Sequence, residues 1–207
     1  SVGSLADNEG QASDKYHRIL EAAIKVFARK GFHSAKVSEI AREAGVADGT
    51  IYIYFKNKDD ILIKVFEESL ARIIKRFEEE LKAEPDAASR LKRFIWMHLE
   101  LLEENQALAE VIQVELRQSN KFMKEYVPAH FIEYLNMIAG LVREGQDQGV
   151  LRPEISPGIF KRALFGALDE ISLHAVLRRK GKSYIKKSAE QLCDIFLRGI
   201  SREGTVL

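Results

Sequence analysis

Apolar residues recur along the chain at the helical period, and strand-like alternation is scarce. Ile19, Ala22, Ala23, Val26 and Phe27 form one stripe, which predicts a first helix over about 14–29, stopped by Gly31. Val37, Ile40, Ala41 and Ala44 make the inner face of a second helix over about 37–44, and Gly45 breaks it. A third, short helix covers about 48–54. Asn57 starts a fourth, where its side chain can cap orphan backbone N–H groups with Asp60 three residues on, and this helix runs to about Lys82. "AEPDA" ends it, and Pro85 with Asp86 starts the next. Further helices are expected over about 87–104, 107–123, 129–148, 157–179 and 184–200, punctuated by Asn105, Pro128, Gly149, Pro153, Pro157 and Gly181. The expected fold class is all-α: three short helices, then six mostly longer ones. The front unit is too small to fold well alone and is expected to pack on the fourth helix.

Helix, tight glycine turn and short helix form a helix-turn-helix, the arrangement that places a second helix in the DNA major groove. At about 100° per residue, Ala47, Ile51 and Phe55 share one face, which should anchor the short helix to the first two. Gly49 and Ile53 lie opposite, with Thr50 and Tyr52 on the flanks and Tyr54 nearer the edge. Gly49 permits close approach, Ile53 can meet thymine methyls, and Thr50 can reach a base edge or phosphate. Tyr52 and Tyr54 offer hydroxyls to phosphates, which fixes register more than sequence. Lys56 and Lys58 follow at the N-terminus of the fourth helix, where the helix dipole also favours phosphate. The alternative is that these aromatic and apolar residues simply pack against the rest of the protein.

Charge adds one constraint. The chain of 207 residues carries a formal net charge of +1, and residues 14–60 hold nine Lys/Arg against seven acids. Positive potential for DNA must therefore be local, and a non-specific, purely electrostatic DNA binder is disfavoured. Among the 207 residues there is one cysteine, Cys193, in an apolar helical pattern, which reads as a small buried hydrophobe. No run of about 18 apolar residues suggests a membrane span, and "SVGSLADNEGQAS" has no secretion-signal pattern, so a cytoplasmic location is expected. That opening stretch reads as a disordered lead.

The stretch "ILEAAIKVFARKGFHSAKVSEIAREAGVADGTIYIYFKNKDDIL" resembles the DNA-binding domain of the TetR family of bacterial repressors. The likeness lies in the "IA..AGV" turn, the "GT.Y.YF" recognition helix and the "K.D.L" start of helix four. It implies DNA contacts by Thr50, Tyr52, Tyr54 and Lys58, and a homodimer on a near-palindromic operator. The family commonly has Thr at the start of helix two; here Lys36 stands there, so the cap is lost or supplied by Ser34. Lys36 then meets phosphate as a charge, and Ser38 is a further candidate. Ala47 stands where Ser is common, which removes one polar phosphate contact. The expected organisation is a disordered lead (1–13), a helix-turn-helix DNA-binding domain (14–60) and a helical ligand-binding and dimerisation domain (61–207).

The helix over 157–179 is apolar on more than one side and must bury two faces. Its small residues Ala163, Gly166 and Ala167, with Leu192, Ile195 and Phe196 of the last helix, are candidates for a dimer interface. By resemblance these two helices pair with their copies as a four-helix bundle. The alternative is a wholly internal core. The middle helices hold Trp96, Leu99, Val111, Leu116, Phe131, Tyr134, Leu135 and Ile138, a lining for a hydrophobic ligand that core packing would equally explain.

"GVADGTIYIYFKNKDDIL" together with "VIQVELRQSN" looks like the FadR-type members of the TetR family, regulators of fatty-acid degradation. That resemblance implies a long-chain acyl-CoA as inducer, with the acyl chain among the middle helices and no further cofactor. Each buried methylene contributes about 0.8 kcal/mol, so a long chain supplies affinity readily. Lys92, Arg93 and Arg117 are candidates for the CoA phosphates; an ion pair with Glu115 or Glu110 is the other reading of Arg117. The fourth helix, joining front unit to ligand site, is the expected lever.

Catalysis and metal binding find little support. His17, His33, His98, His130 and His174 are scattered without metal-ligand spacing, and no phosphate-loop or nucleophile-elbow motif occurs. The rival within the family is a multidrug sensor, because Trp96, Tyr134, Glu100 and Asp169 are the kinds of residue a cationic-drug pocket uses.

Overall fold

The computed structural model describes residues 2–126 and 128–204, with side-chain surroundings from residue 10 onward. Its helices are α1 (Val2–Lys30), α2 (Val37–Ala44), α3 (Asp48–Tyr54), α4 (Lys58–Leu81), α5 (Ala87–Glu104), α6 (Gln106–Gln113), a 3-10 helix (Glu115–Gln118), α7 (Asn120–Lys124), α8 (Ala129–Asp147), α9 (Pro157–Leu177) and α10 (Lys182–Ile200). Among the described residues extended pairing is confined to an isolated antiparallel bridge, Leu151 with Ser201. None of these helices is long and apolar enough to cross a membrane.

The chain divides into two compact units, Ser1–Ser69 with Ala107–Tyr126, and Leu70–Gln106 with Val127–Leu207. This corrects the expected boundary at residue 60. The front unit keeps the first turns of α4 and also takes back residues 107–126, a return that no local periodicity signals. Two further corrections follow. Residues 2–13 are helical in continuity with α1 rather than a disordered lead. The stretch has no proline, and Ala, Leu, Glu and Gln outweigh its two glycines. The helix expected over 107–123 is interrupted at Val114 and again at Ser119, whose hydroxyl caps α7 by accepting from Phe122 N–H at 3.1 Å.

In the first unit, Ile19, Ala22, Ala23, Val26 and Phe27 of α1 are all buried, as their stripe predicts, together with Ile40, Ala41 and Ala44 of α2. Gly45 closes α2 at φ 68°, and Val46 N–H donates to the Ala41 carbonyl at 3.0 Å. An L side chain at that φ is strained, so glycine sharpens the turn into α3.

The second unit is a helical layer around α5, which packs against α8, α9 and α10. Leu91, Phe94, Ile95, Met97 and Leu99 of α5 are buried with Ile138, Ala139 and Val142 of α8 and Leu164 and Leu168 of α9. Asp86 caps α5, accepting from Ser89 N–H at 2.8 Å. That bond holds the Asp86 carboxyl below its usual range. Ser156 caps α9 by accepting from Ile159 N–H at 3.3 Å, with Pro157 in its first turn. At the other end of α9, Arg179 adopts φ 48°, where Lys180 N–H donates back to the Ala175 carbonyl at 2.9 Å. Glycine suits that left-handed position better than an L side chain. Arg179→Gly is therefore expected to stabilise the protein by roughly 0.5–1 kcal/mol, read as a higher urea midpoint with unchanged m-value.

Candidate nucleic-acid interface and effector region

α3 divides its residues between core and surface by helical angle. Ile51 and Phe55 are fully buried, and the Phe55 ring stacks on Tyr16 with centroids 5.2 Å apart. Tyr16 in turn donates its hydroxyl to Glu68 Oε1 at 3.4 Å; burial first and then the Glu68 charge push the phenol up to about 12. On the opposite face Tyr52 is 59% exposed and Ile53 76% exposed. Gly49 is exposed beside them, and Thr50 and Tyr54 are half-buried at the flanks. An isoleucine and a tyrosine left open on a seven-residue helix form a patch that a partner surface would cover.

Two expectations change. Ala47 is exposed and anchors nothing: it is the N-cap of α3, at φ −70° and ψ 150°, so the helical angle does not apply to it. Lys58 is half-buried, and its ammonium donates to the carbonyls of His33 at 3.0 Å and Ala35 at 3.1 Å. It also lies 4.7 Å over the Phe32 ring. Two of its N–H groups thus organise the α1–α2 loop, which leaves one for a phosphate. Lys56 is exposed, and its backbone N–H donates to Asp60, while Asn57 caps α4 by accepting from Asp60 N–H at 2.9 Å.

At the start of α2, Lys36 cannot cap because an ammonium has no lone pair. Glu39 instead accepts from the Lys36 backbone N–H at 3.0 Å. It also receives the Lys30 ammonium, and that contact first, with the Lys36 amide second, holds its carboxyl below the usual range. The Lys36 side chain stays exposed, as does Ser34, and Ser38 is half-buried.

The expected ligand lining is split by the fold. Trp96, Leu99, Phe131, Tyr134, Leu135 and Ile138 belong to the second unit, whereas Val111, Leu116 and Arg117 belong to the first. In the second unit, Phe77, Phe94 and Tyr134 form an aromatic cluster with centroids 5.1–5.6 Å apart. Phe131 meets Phe165 edge-on at 4.9 Å, and Trp96 is half-buried. His98 and Ser172, which no sequence motif marks as site residues, lie beside this cluster. His98 Nδ1 lies 2.7 Å from the Tyr134 hydroxyl and Nε2 lies 3.4 Å from Ser172 Oγ. Burial drives the imidazole down to about 4 and the Tyr134 phenol well above its ordinary value, so both are neutral near pH 7. A histidine in an apolar run carries no sequence signal of such a pair.

The candidate phosphate cations fare unequally. Arg93 is held by Glu80 at 2.8 Å and Glu100 at 3.6 Å, so its charge is already matched. Glu80 also binds Arg76, which pairs with both oxygens of Glu104 at 2.6 and 2.8 Å. Arg117 donates to the Gln113 carbonyl. Lys92 is exposed. Cys193 is buried, and burial pushes its thiol up to about 11.

α9 and α10 leave an apolar stripe uncovered in the single chain. Ile159 is 71% and Ile195 62% exposed. Ala163 and Gly166 are exposed and Ala167 half-buried on α9. Phe196 is half-buried, edge-on to Phe160 at 5.8 Å. Leu192 is a correction: it is buried in its own chain, one turn before Ile195, and faces inward.

Against known families, residues 19–65 match the bacterial regulatory proteins of the tetR family, and residues 66–199 match the C-terminal region of YsiA-like proteins. The chain is 41% identical to the fatty acid metabolism regulator protein of Bacillus subtilis over 160 residues, 77% of this chain and 82% of that one. It superposes on the crystal structure of FadR from Bacillus subtilis in complex with stearoyl-CoA with a TM-score of 0.83 and 37% identity, over 89% of this chain and 99% of that one. FadR from Bacillus halodurans gives 0.83 and 36% identity, over 89% of this chain and 95% of that one.

Proposed function

We propose, given that this chain belongs to the tetR family of bacterial regulatory proteins, that it is a repressor of fatty-acid degradation genes released from its operator by a long-chain acyl-CoA. The family consists of transcriptional regulators, not enzymes. The observation that carries the DNA reading is the open face of α3: Tyr52 and Ile53 stand clear while Ile51 and Phe55 hold the helix from behind. Ile53 and Thr50 would read base edges in the major groove; Tyr52, Tyr54, Lys56, Lys36, Ser34 and Ser38 would fix register on phosphates.

The uncovered stripe of Ile159, Ala163, Gly166 and Ile195 supports a homodimer. A dimer on a near-palindrome must hold its two α3 helices about 34–36 Å apart, one turn of DNA. An effector that binds another dimer geometry more tightly draws the population away from that spacing. A hundredfold loss of operator affinity needs only about 2.7 kcal/mol of such coupling.

The stearoyl-CoA in the Bacillus subtilis relative supports the same effector class here. Leu99, Leu135 and Ile138, with the rings of Trp96, Phe131 and Tyr134, offer apolar surface for an acyl chain. Of the two candidate cations in the second unit, Lys92 suits the CoA phosphates better, because Arg93 already carries two carboxylates.

The test uses the near-palindromic duplex that the protein enriches from a random-sequence pool. Its anisotropy is followed with stearoyl-CoA, free stearate and free CoA. Stearoyl-CoA alone is expected to release the DNA, with a matching mass step per subunit in native mass spectrometry. A dimer that holds the duplex equally with and without stearoyl-CoA would leave a repressor and remove the acyl-CoA.

A further inference from the structure

The motif "VIQVELRQSN" (111–120) has a use in this fold beyond the candidate cation Arg117. It lies in the stretch Ala107–Tyr126, which the front unit takes back from the middle of the chain. Polar contacts of Glu115 and Ser119 help to fix it there. Glu115 is only 5% exposed, and its Oε2 accepts from the Phe32 backbone N–H at 2.6 Å. A Cβ on Gly31 would lie 3.6 Å from the same oxygen, an ordinary contact, so the carboxylate sits against the backbone of the loop. Ser119 is buried and donates its hydroxyl to Asp59 at 2.6 Å. Phe122 and Tyr126 add ring contacts to Phe66, with centroids at 5.2 and 6.3 Å.

Glu115 therefore grips the α1–α2 loop, the loop whose carbonyls Lys58 also holds. That loop sets where α2 begins, and α2 carries the turn into α3. A displacement of Glu115 would pass to the reading helix without passing along α4.

The stretch also bears the marks of an element with a second arrangement. The α-helix gives way to a 3-10 turn after Val114. Gln113 and Ser69 are both more than nine-tenths buried, yet Gln113 Oε1 and Ser69 Oγ have no hydrogen-bond partner among the described residues. A buried polar atom without a partner is unfavourable where it stands, and a shift of the segment that gave it one would recover that loss.

We propose that Glu115 is the positioning residue that transmits effector occupancy to the helix-turn-helix, with the Ser119–Asp59 contact as its second fixing point. The proposal rests on the reading of the protein as an effector-released repressor. It differs from a lever confined to α4, because the contact joins residues 83 apart in sequence through a backbone amide of the α1–α2 loop.

The test compares full-length wild type with Glu115→Ala and Glu115→Gln, whose amide oxygen can still accept from Phe32 N–H. Three quantities are read: hydrogen exchange at the Phe32 amide, operator affinity with and without stearoyl-CoA, and stearoyl-CoA bound per subunit by native mass spectrometry. Glu115→Ala is expected to lose Phe32 protection and to cut release by stearoyl-CoA from about a hundredfold to under about fivefold, with ligand still bound. Glu115→Gln is expected to keep both protection and release. Ser119→Ala should move in the direction of Glu115→Ala by a smaller factor. Should Glu115→Ala not fold, Glu115→Asp withdraws the acceptor by one methylene without emptying the site.

A breaking variant that still releases the operator like the wild type overturns the proposal. If the wild type itself ignores stearoyl-CoA, the acyl-CoA reading has failed. The joint is then decided without ligand, by operator affinity and Phe32 protection in Glu115→Ala against Glu115→Gln. Wild-type values of both in Glu115→Ala overturn it.

Discussion

Replacing Tyr52 and Ile53 together by alanine is expected to weaken operator binding about a hundredfold while changing folding stability by under about 0.5 kcal/mol. The two effects separate because neither side chain is buried in the free protein: Ile53 is 76% and Tyr52 59% exposed. Their removal opens no cavity, and alanine favours the helix slightly more than either residue. On DNA the isoleucine would lose its contact with thymine methyls, and the tyrosine would lose a phosphate hydrogen bond and the area of its ring. The control is Ile51→Ala on the same helix. Ile51 is fully buried, and its truncation costs about 2–5 kcal/mol, so operator binding would fail there through unfolding. Urea unfolding at fixed protein concentration, paired with anisotropy on the selected duplex, separates the two. Full affinity in the double variant would mean that the exposed face of α3 is not the reader.

Acidification from pH 7 to 4.5 is expected to remove roughly 2–3 kcal/mol of stability through His98. Burial lowers its folded value to about 4, whereas the unfolded chain titrates near the ordinary histidine value of 6.5. The neutral ring is therefore the folded form, and the contribution is complete above 6.5. It falls away as the unfolded state binds its proton first, and is gone once the pH has passed below about 4. Within the cluster neither Tyr134 nor Ser172 can offset the charge: the phenol stays neutral across this range and the hydroxyl does not ionise. The carboxylates held low by their partners, Glu80, Asp86 and Glu104, keep their contributions above the ordinary carboxylate range and lose them as the pH falls through that range and below it. Urea midpoints measured from pH 7 to 4.5 should fall steeply for the wild type and much less for His98→Gln. Parallel profiles for the two proteins would remove His98 as the cause.

Glu115 and Lys58 show where reading the chain by period alone reaches its limit. Glu115 is an acid between Val114 and Leu116, and nothing local says which distant group its carboxylate will meet. Lys58 stands where a phosphate contact is expected, and the α1–α2 loop takes most of its donors. Ala47 precedes the first residue of α3 and has extended backbone, so the helical angle that would turn it inward does not reach it. Leu192 and Ile195 are both expected at the dimer interface and lie only about 60° apart around the helix, yet the edge of the buried face falls between them and only Ile195 is exposed.

What the sequence determined by itself is local: the helix sites, the glycine stops at Gly31 and Gly45, the caps at Asn57 and Asp86, and the register of α3 that buries Ile51 and Phe55 and leaves Ile53 outside. These depend on neighbours within one or two turns, so the apolar period and the capping residues specify them. What only the tertiary structure decided is which distant groups meet. The return of residues 107–126 to the front unit, the carboxylate of Glu115 on the amide of Phe32, and the His98 imidazole beside the Tyr134 hydroxyl join residues 36 or more positions apart. A backbone amide offers the same donor at every non-proline position, so no pattern in the chain says which one a buried carboxylate will find.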